Sequence, residues 1–249
     1  MLSKNTLKFI KSLHQKKFRK QEQSFFVEGS KNVTELLQSD FEITHLLFTP
    51  KFGSAHMDLI KKYSGDMVEV SEQVLESLGA FKSNSDALAV AKMKQEIHFS
   101  VQPGELILAL DDVRDPGNLG TILRIADWYG ISKMILSPQT ADFYNPKVLQ
   151  ASMGSFTRIK FFYQQLSEFL ANTSNIPVYG AFLDGENIHH AQLTTDGIIV
   201  MGNESQGISS EVARGIDRKI SIPAFGNAES LNVAVATAII CDNFRRGHS

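Results

Sequence analysis

A single cysteine in 249 residues excludes an intrachain disulfide. Cys241 sits in the apolar run AIIC, so the expectation is a buried thiol in a reducing compartment rather than a stapled secreted domain. No apolar stretch reaches the roughly 20 residues of a membrane span, and no signal-type apolar run follows the basic amino-terminal stretch. Both absences point to the cytoplasm and away from a membrane. Seven histidines show no metal-ligand spacing, and the adjacent His189 and His190 read as loop residues, so no metal site is expected. The chain has no G-x-G-x-x-G, no G-K-[ST] and no G-x-S-x-G, which removes the dinucleotide, P-loop and nucleophile-elbow readings. A net charge of −2 argues against a uniformly cationic protein, so any nucleic-acid contact has to come from a local patch.

One such patch is present. Residues 1–22 carry Lys4, Lys8, Lys11, Lys16, Lys17, Arg19 and Lys20 with no acid before Glu22, while Leu7, Ile10 and Leu13 fall at helical spacing. The pattern predicts a basic amphipathic helix. It is either a solvated helix docked by its apolar edge or a phosphate-backbone contact, with Lys16, Lys17, Arg19 and Lys20 as the candidate RNA-binding residues.

Short strands and helices then alternate over 23–97, predicting a small α/β domain of its own. Periodicity is lost before Pro103-Gly104, which places a linker at 98–104 and a second domain at 105–249. That domain opens on ELILALDD, the near-continuous apolar run of a strand covered on both faces. Its β-α alternation predicts a mostly parallel sheet with helices on both faces. After the first strand comes DPGN, a turn, and a helix whose buried side is expected to be Thr121, Ile122, Ile125, Ala126 and Trp128.

Ligands in open α/β sheets bind at the carboxyl ends of strands, so polar residues just after apolar strands are the site candidates. Asn118 and Arg124 lie on the helix after the first strand, where both could face the strand-end pocket, although Arg124 taken alone reads more readily as a surface ion pair. Glu204 follows the run IIVM inside GNESQG and reads as a site carboxylate or as a cap. Ser230 and Asn232 flank Leu231 at the start of the last helix, where Ser230 would serve as an ordinary N-cap.

The segments DPGNLGTILRIADWYG, VMGNESQGIS and ISIPAFGNAESLNVAVATAI, in that order, closely resemble the three motifs of the SpoU-type (TrmH-like) RNA ribose 2′-O-methyltransferases of the SPOUT class. FFVEGSKNVTELL is similar to the opening of that family's small, ribosomal-protein-like substrate-binding domain. The resemblance implies a trefoil-knotted catalytic domain, a homodimer, and S-adenosylmethionine held at Gly202, Ile222 and Leu231. It also places Asn118, Arg124, Glu204, Ser230 and Asn232 on the family's polar catalytic positions. Two departures stand out: KSNSDALAVAKM lacks a Gln-Gly common at the end of the front domain, and Gln150 stands where a basic residue is frequent.

The reaction implied is methyl transfer to a ribose 2′-hydroxyl of structured RNA, ribosomal RNA before transfer RNA. A catalytically silent RNA-binding or assembly factor on the same fold is the reading from another class. A guanidinium keeps its proton, so Arg124 is expected to clamp phosphate and stabilise charge rather than act as base.

Overall fold

The computed structural model describes residues 2–81 and 84–246. In chain order the elements are α1 (Lys4–Ser12), α2 (Lys16–Glu22), β1 (Ser24–Glu28), α3 (Ser30–Leu37), β2 (Ile43–Phe48), α4 (Pro50–Ala55), α5 (Met57–Ile60), β3 (Asp66–Glu69), α6 (Glu72–Leu78) and β4 (Ala87–Lys92). They continue with β5 (Leu106–Leu110), α7 (Pro116–Trp128), β6 (Lys133–Leu136), α8 (Pro146–Ser152), a 3-10 turn (Ser155–Thr157), β7 (Lys160–Tyr163) and α9 (Leu166–Ala171). The last are β8 (Val178–Asn187), β9 (Gly197–Met201), α10 (Ser210–Ala213), β10 (Arg218–Ser221) and α11 (Val233–Arg245). Two compact units result, Met1–Gln95 with Asp142–Thr157, and Glu96–Ala141 with Arg158–Ser249. Among the described residues no helix is long and apolar enough to cross a membrane.

The first unit is a four-stranded sheet in the order β1-β4-β2-β3, antiparallel except for the β2–β3 pair. Ile10 and Leu13 are buried against Phe26, Leu47, Leu75 and Leu78, as their spacing predicts. The single basic helix expected over 1–22 is instead two helices. The Arg19 Nη1 donates to the carbonyls of Leu13 and His14, both at 2.9 Å, taking up backbone acceptors where the first helix ends.

Residues 142–157 group with this first unit, not with the 105–249 domain in which the sequence places them. The reason is a shared aromatic core and buried polar pairs. Phe25 packs on Tyr144 with ring centroids 4.7 Å apart and on Phe156 at 6.0 Å. Asn32 Nδ2 donates to Gln150 Oε1 at 2.9 Å, so the glutamine that departs from the family pattern has a structural partner. Of the other departure, KSNSDALAVAKM, Lys82 and Ser83 lie outside the described residues.

The second unit is a six-stranded sheet, β10-β8-β9-β5-β6-β7, in which every neighbouring pair is parallel. β5 and β9 are buried along their whole length, which is why LILAL and GIIVM read as apolar runs rather than alternations. Ile107 and Ala109, with Ile198 and Val200, meet Leu166, Phe169 and Leu170 of α9 and Val212 of α10, a four-residue helix the sequence reading did not anticipate. α7 and α11 pack together. The buried stripe of α7 is Leu119, Ile122, Leu123 and Ala126, the i, i+3, i+4, i+7 set. Trp128, expected inside, is 83 % exposed.

Candidate functional site

The middle of β8, the loops after β9 and β10 and the start of α11 enclose a cavity of about 710 Å³. Gly202, Ile222 and Leu231, the three expected cofactor residues, all line it, as do Glu204 and Ser230. Met201, Ile208, Ile220 and Ile240 give it apolar walls. Its charged lining residues are Asp184, Glu204 and Glu229, with no Lys, Arg or His among them.

The loop after β9 is shaped by close backbone approach. A Cβ on Gly202 would lie 2.2 Å from the Gly207 carbonyl carbon and 2.3 Å from the Ile208 nitrogen, so only glycine fits there. Asn203 Oδ1 accepts from the amides of Ser205 and Gln206, an Asx turn, while its Nδ2 donates to the Asp112 carbonyl at 2.8 Å. Asp112 is held at φ +62°. Its amide donates to Ser137 Oγ, also at 2.8 Å, so this strained residue is fixed from both sides. Asn203 and Asp112 thus tie the loop after β9 to the loop after β5. The sequence reading passed over both; an Asn opening a Gly-bounded loop, and a second Asp past a buried strand, were the available signals.

A line of donors crosses these loops. Asn232 caps α11, its Oδ1 accepting from Ala234 and Val235, which leaves its Nδ2 to donate to Asn118 Oδ1 at 2.8 Å. Asn118 Nδ2 then donates to Glu204 Oε1 at 3.0 Å. The main-chain amides of Asp115 and Arg114 reach the same carboxylate at 3.2 and 3.5 Å. Amide hydrogens at one end and a carboxylate at the other fix the orientation of both asparagines. Burial raises the Glu204 carboxyl, but the hydrogen bonds from Asn118 and the main chain outweigh it and hold it below its ordinary value.

Structure separates the remaining candidates. Ser230 is exposed at the cavity and is not the helix cap; Asn232 is. Arg124 is exposed, does not line the cavity, and its side chain has no hydrogen bond or ion pair among the described residues. Lys16, Lys17 and Lys20 are exposed on α2. Arg19 is not available to RNA: it is 2 % exposed, and its Nη2 is 2.5 Å from Asp142 Oδ2. A residue at one helical position among three exposed lysines carries the same charge but turns to the core. Cys241 is buried as expected, and burial pushes its thiol up to about 12.

A family model described as SpoU rRNA Methylase family matches residues 105–242, more than half of the chain. The chain belongs to the SpoU rRNA methylase family. A second model, the MRM3-like substrate binding domain, matches residues 4–89 of this SpoU protein. Among its relatives, 23S rRNA (guanosine(2553)-2′-O)-methyltransferase RlmP of Bacillus subtilis is 30 % identical over 238 residues, covering 94 % of each chain. A TrmH-family protein from Porphyromonas gingivalis is 40 % identical, with a TM-score of 0.87 and 99 % of each chain covered. An rRNA methyltransferase from Sinorhizobium meliloti, solved with AdoMet bound, is 30 % identical with a TM-score of 0.88, over 100 % of this chain and 97 % of that one. The α/β architecture, with its parallel sheet preceded by a small α/β domain, is therefore that of the SpoU enzymes.

Proposed function

We propose that this chain transfers a methyl group from S-adenosylmethionine to a ribose 2′-hydroxyl of ribosomal RNA. The observation that carries the reading is the cavity itself, whose size falls in the ~300–1,000 Å³ of small-molecule sites. Its chemistry fits the cofactor: apolar walls for adenine, close backbone approach at Gly202, and the carboxylates of Glu204 and Glu229 in the lining to favour a sulfonium. When bound, the cofactor supplies an electrophilic methyl group. Gly202, Ile222 and Leu231 would hold it.

Glu204, already saturated by donors and held below its ordinary value, is a poor proton acceptor. Its role in this proposal is to order Asn118, and through it Asn232, at the starts of α7 and α11. Arg124 is assigned to clamping an RNA phosphate. It shares the outer face of α7 with Trp128, four residues on. A second copy docking on that face would cover Trp128 and bring Arg124 into an interface, which supports the homodimer carried over from the resembling enzymes. For the path of the chain we carry over their trefoil knot; the support is the return of the chain from β10 at the sheet edge to α7, where Asn232 meets Asn118. We assign the protein to the cytoplasm, a reading supported by a ribosomal RNA substrate, and the exposed Lys16, Lys17 and Lys20 to the RNA backbone.

The test is to incubate the protein with methyl-labelled cofactor and unmodified total RNA and to map the label. Label on a ribose 2′-oxygen of ribosomal RNA is expected. Label on transfer RNA would change the substrate, label on a base would overturn the reaction, and no cofactor binding would favour a silent assembly factor.

A further inference from the structure

Among the described residues two aromatics line the cavity, and they differ in one respect. Phe182 packs against the core under β8, and the Lys219 Nζ lies 4.7 Å from its ring centroid. Phe225 is 97 % exposed and, among the described residues, has no ring or cation partner. It stands on the stretch between β10 and α11, flanked by Pro223 and Gly226, at the edge of the same cavity. Leaving a whole phenyl ring in water is unfavourable by about 2 kcal/mol relative to covering it, so an uncovered ring at the mouth of a site calls for an occupant.

We infer that Phe225 is the platform on which the base of the target nucleotide stacks when its ribose is presented to the cavity. This rests on the RNA methyltransferase reading above. Sequence-specific RNA recognition targets loops and bulges whose bases are splayed out of the stack, and such unstacked bases are held on aromatic side chains. Charge separates the parts of the nucleotide. Asp184 is paired with Lys219 Nζ at 3.9 Å, but Glu204 and Glu229 also line the cavity and no Lys, Arg or His does among the described residues, so a phosphate is disfavoured at this rim and the neutral face of a base is not.

Area argues against a second copy of the chain as the occupant. Phe225 with the exposed Leu183 and Leu231 offers a few hundred Å² at most, short of the ~800 Å² per partner of a stable interface. The cofactor's own adenine has the apolar walls around Met201, Ile208 and Ile240 deeper in the cavity, and does not need a ring at the rim.

The experiment compares wild type, Phe225→Ala and Phe225→Trp as full-length protein. Expected for Phe225→Ala is a rise in KM for RNA of about tenfold, the loss typical of one stacked base, with kcat and the calorimetric Kd for S-adenosylmethionine within about twofold of wild type. Phe225→Trp is expected to keep activity and to show fluorescence quenched by RNA, beyond the quenching of Trp128 in wild type, but not by cofactor alone. An unchanged KM for RNA overturns the inference. So does a tenfold loss of cofactor affinity in Phe225→Ala, quenching by cofactor alone, or a lower mass in sedimentation, which would assign the ring to the cofactor or to a second copy. Wild-type protein that transfers no label removes the methyltransferase reading and this inference with it; an active wild type with an equally active Phe225→Ala removes only the inference.

Discussion

Two carboxylates in this molecule stand at or just past the ends of buried strands and behave in opposite ways. Glu28 ends β1 in the first unit; Glu204 stands three residues past β9 in the second. Glu28 is 4 % exposed, takes the Ala80 amide at 2.7 Å on Oε1, and leaves Oε2 without a partner among the described residues. Burial dominates and raises its pKa. Glu204 is less buried and better supplied, with Asn118 and two main-chain amides within 3.5 Å, and its pKa is lowered. What separates them is the balance between burial and donors: burial outweighs the hydrogen bonds at Glu28, and the hydrogen bonds outweigh burial at Glu204.

The largest effect expected from breaking this contrast is that of Gly202→Ala. Its methyl would meet the main chain of Gly207 and push apart the loop that carries Glu204, while leaving Glu28 untouched. Affinity for S-adenosylmethionine should fall about a hundredfold by calorimetry, the equivalent of some 3 kcal/mol of overpacking. Wild-type affinity in this variant would show that the loop has slack the geometry denies.

Next in size is Arg19→Ala in the first unit. It leaves Asp142 without its buried partner and should cost about 3 kcal/mol in denaturant unfolding. A variant of unchanged stability that binds RNA less well would return Arg19 to the surface role its neighbours have.

Glu204→Gln keeps an acceptor for Asn118 but removes the charge that strengthens the bond, so turnover is expected to drop about tenfold. The depressed pKa also sets a sign. Wild-type stability from Glu204 is full above the ordinary carboxylate range and is lost as pH falls through the lowered value, and the variant should lack that acid-side loss.

The smallest effect is Glu28→Gln, with the opposite slope. Because the folded pKa is raised, stability is full below about pH 4 and declines as pH climbs through the ordinary carboxylate range to the raised value. Melting temperature against pH should lose that decline in the variant. Identical slopes in wild type and Glu28→Gln would mean the carboxyl finds donors the geometry does not show.

Much of this was written in the residues. LILAL and GIIVM declare strands covered on both faces, and the three loops that follow apolar runs near 118, 204 and 230 do converge. Charge was a poorer guide. Lys16, Lys17, Arg19 and Lys20 form one run in the sequence, yet one of the four turns inward because Asp142, 123 residues later, meets it there. Trp128 was placed inside by its chemistry and lies outside, since the stripe set by Leu119, Ile122, Leu123 and Ala126 leaves no room for it on the buried face. Pairings across such separations have no local signature. Nor does the capping choice between Ser230 and Asn232, which hangs on where the last helix begins.

The first unit borrows α8 and its flanks from beyond the strand that starts the second. During synthesis, then, residue 95 can leave the ribosome tens of residues before Asp142 does, and Arg19 waits without its counter-ion while β5, α7 and β6 are being made. A fragment cut at the apparent boundary would carry that charge permanently unmatched. Expression of the amino-terminal portion as a free-standing piece calls for grafting 142–157 onto it, not for trimming at the linker.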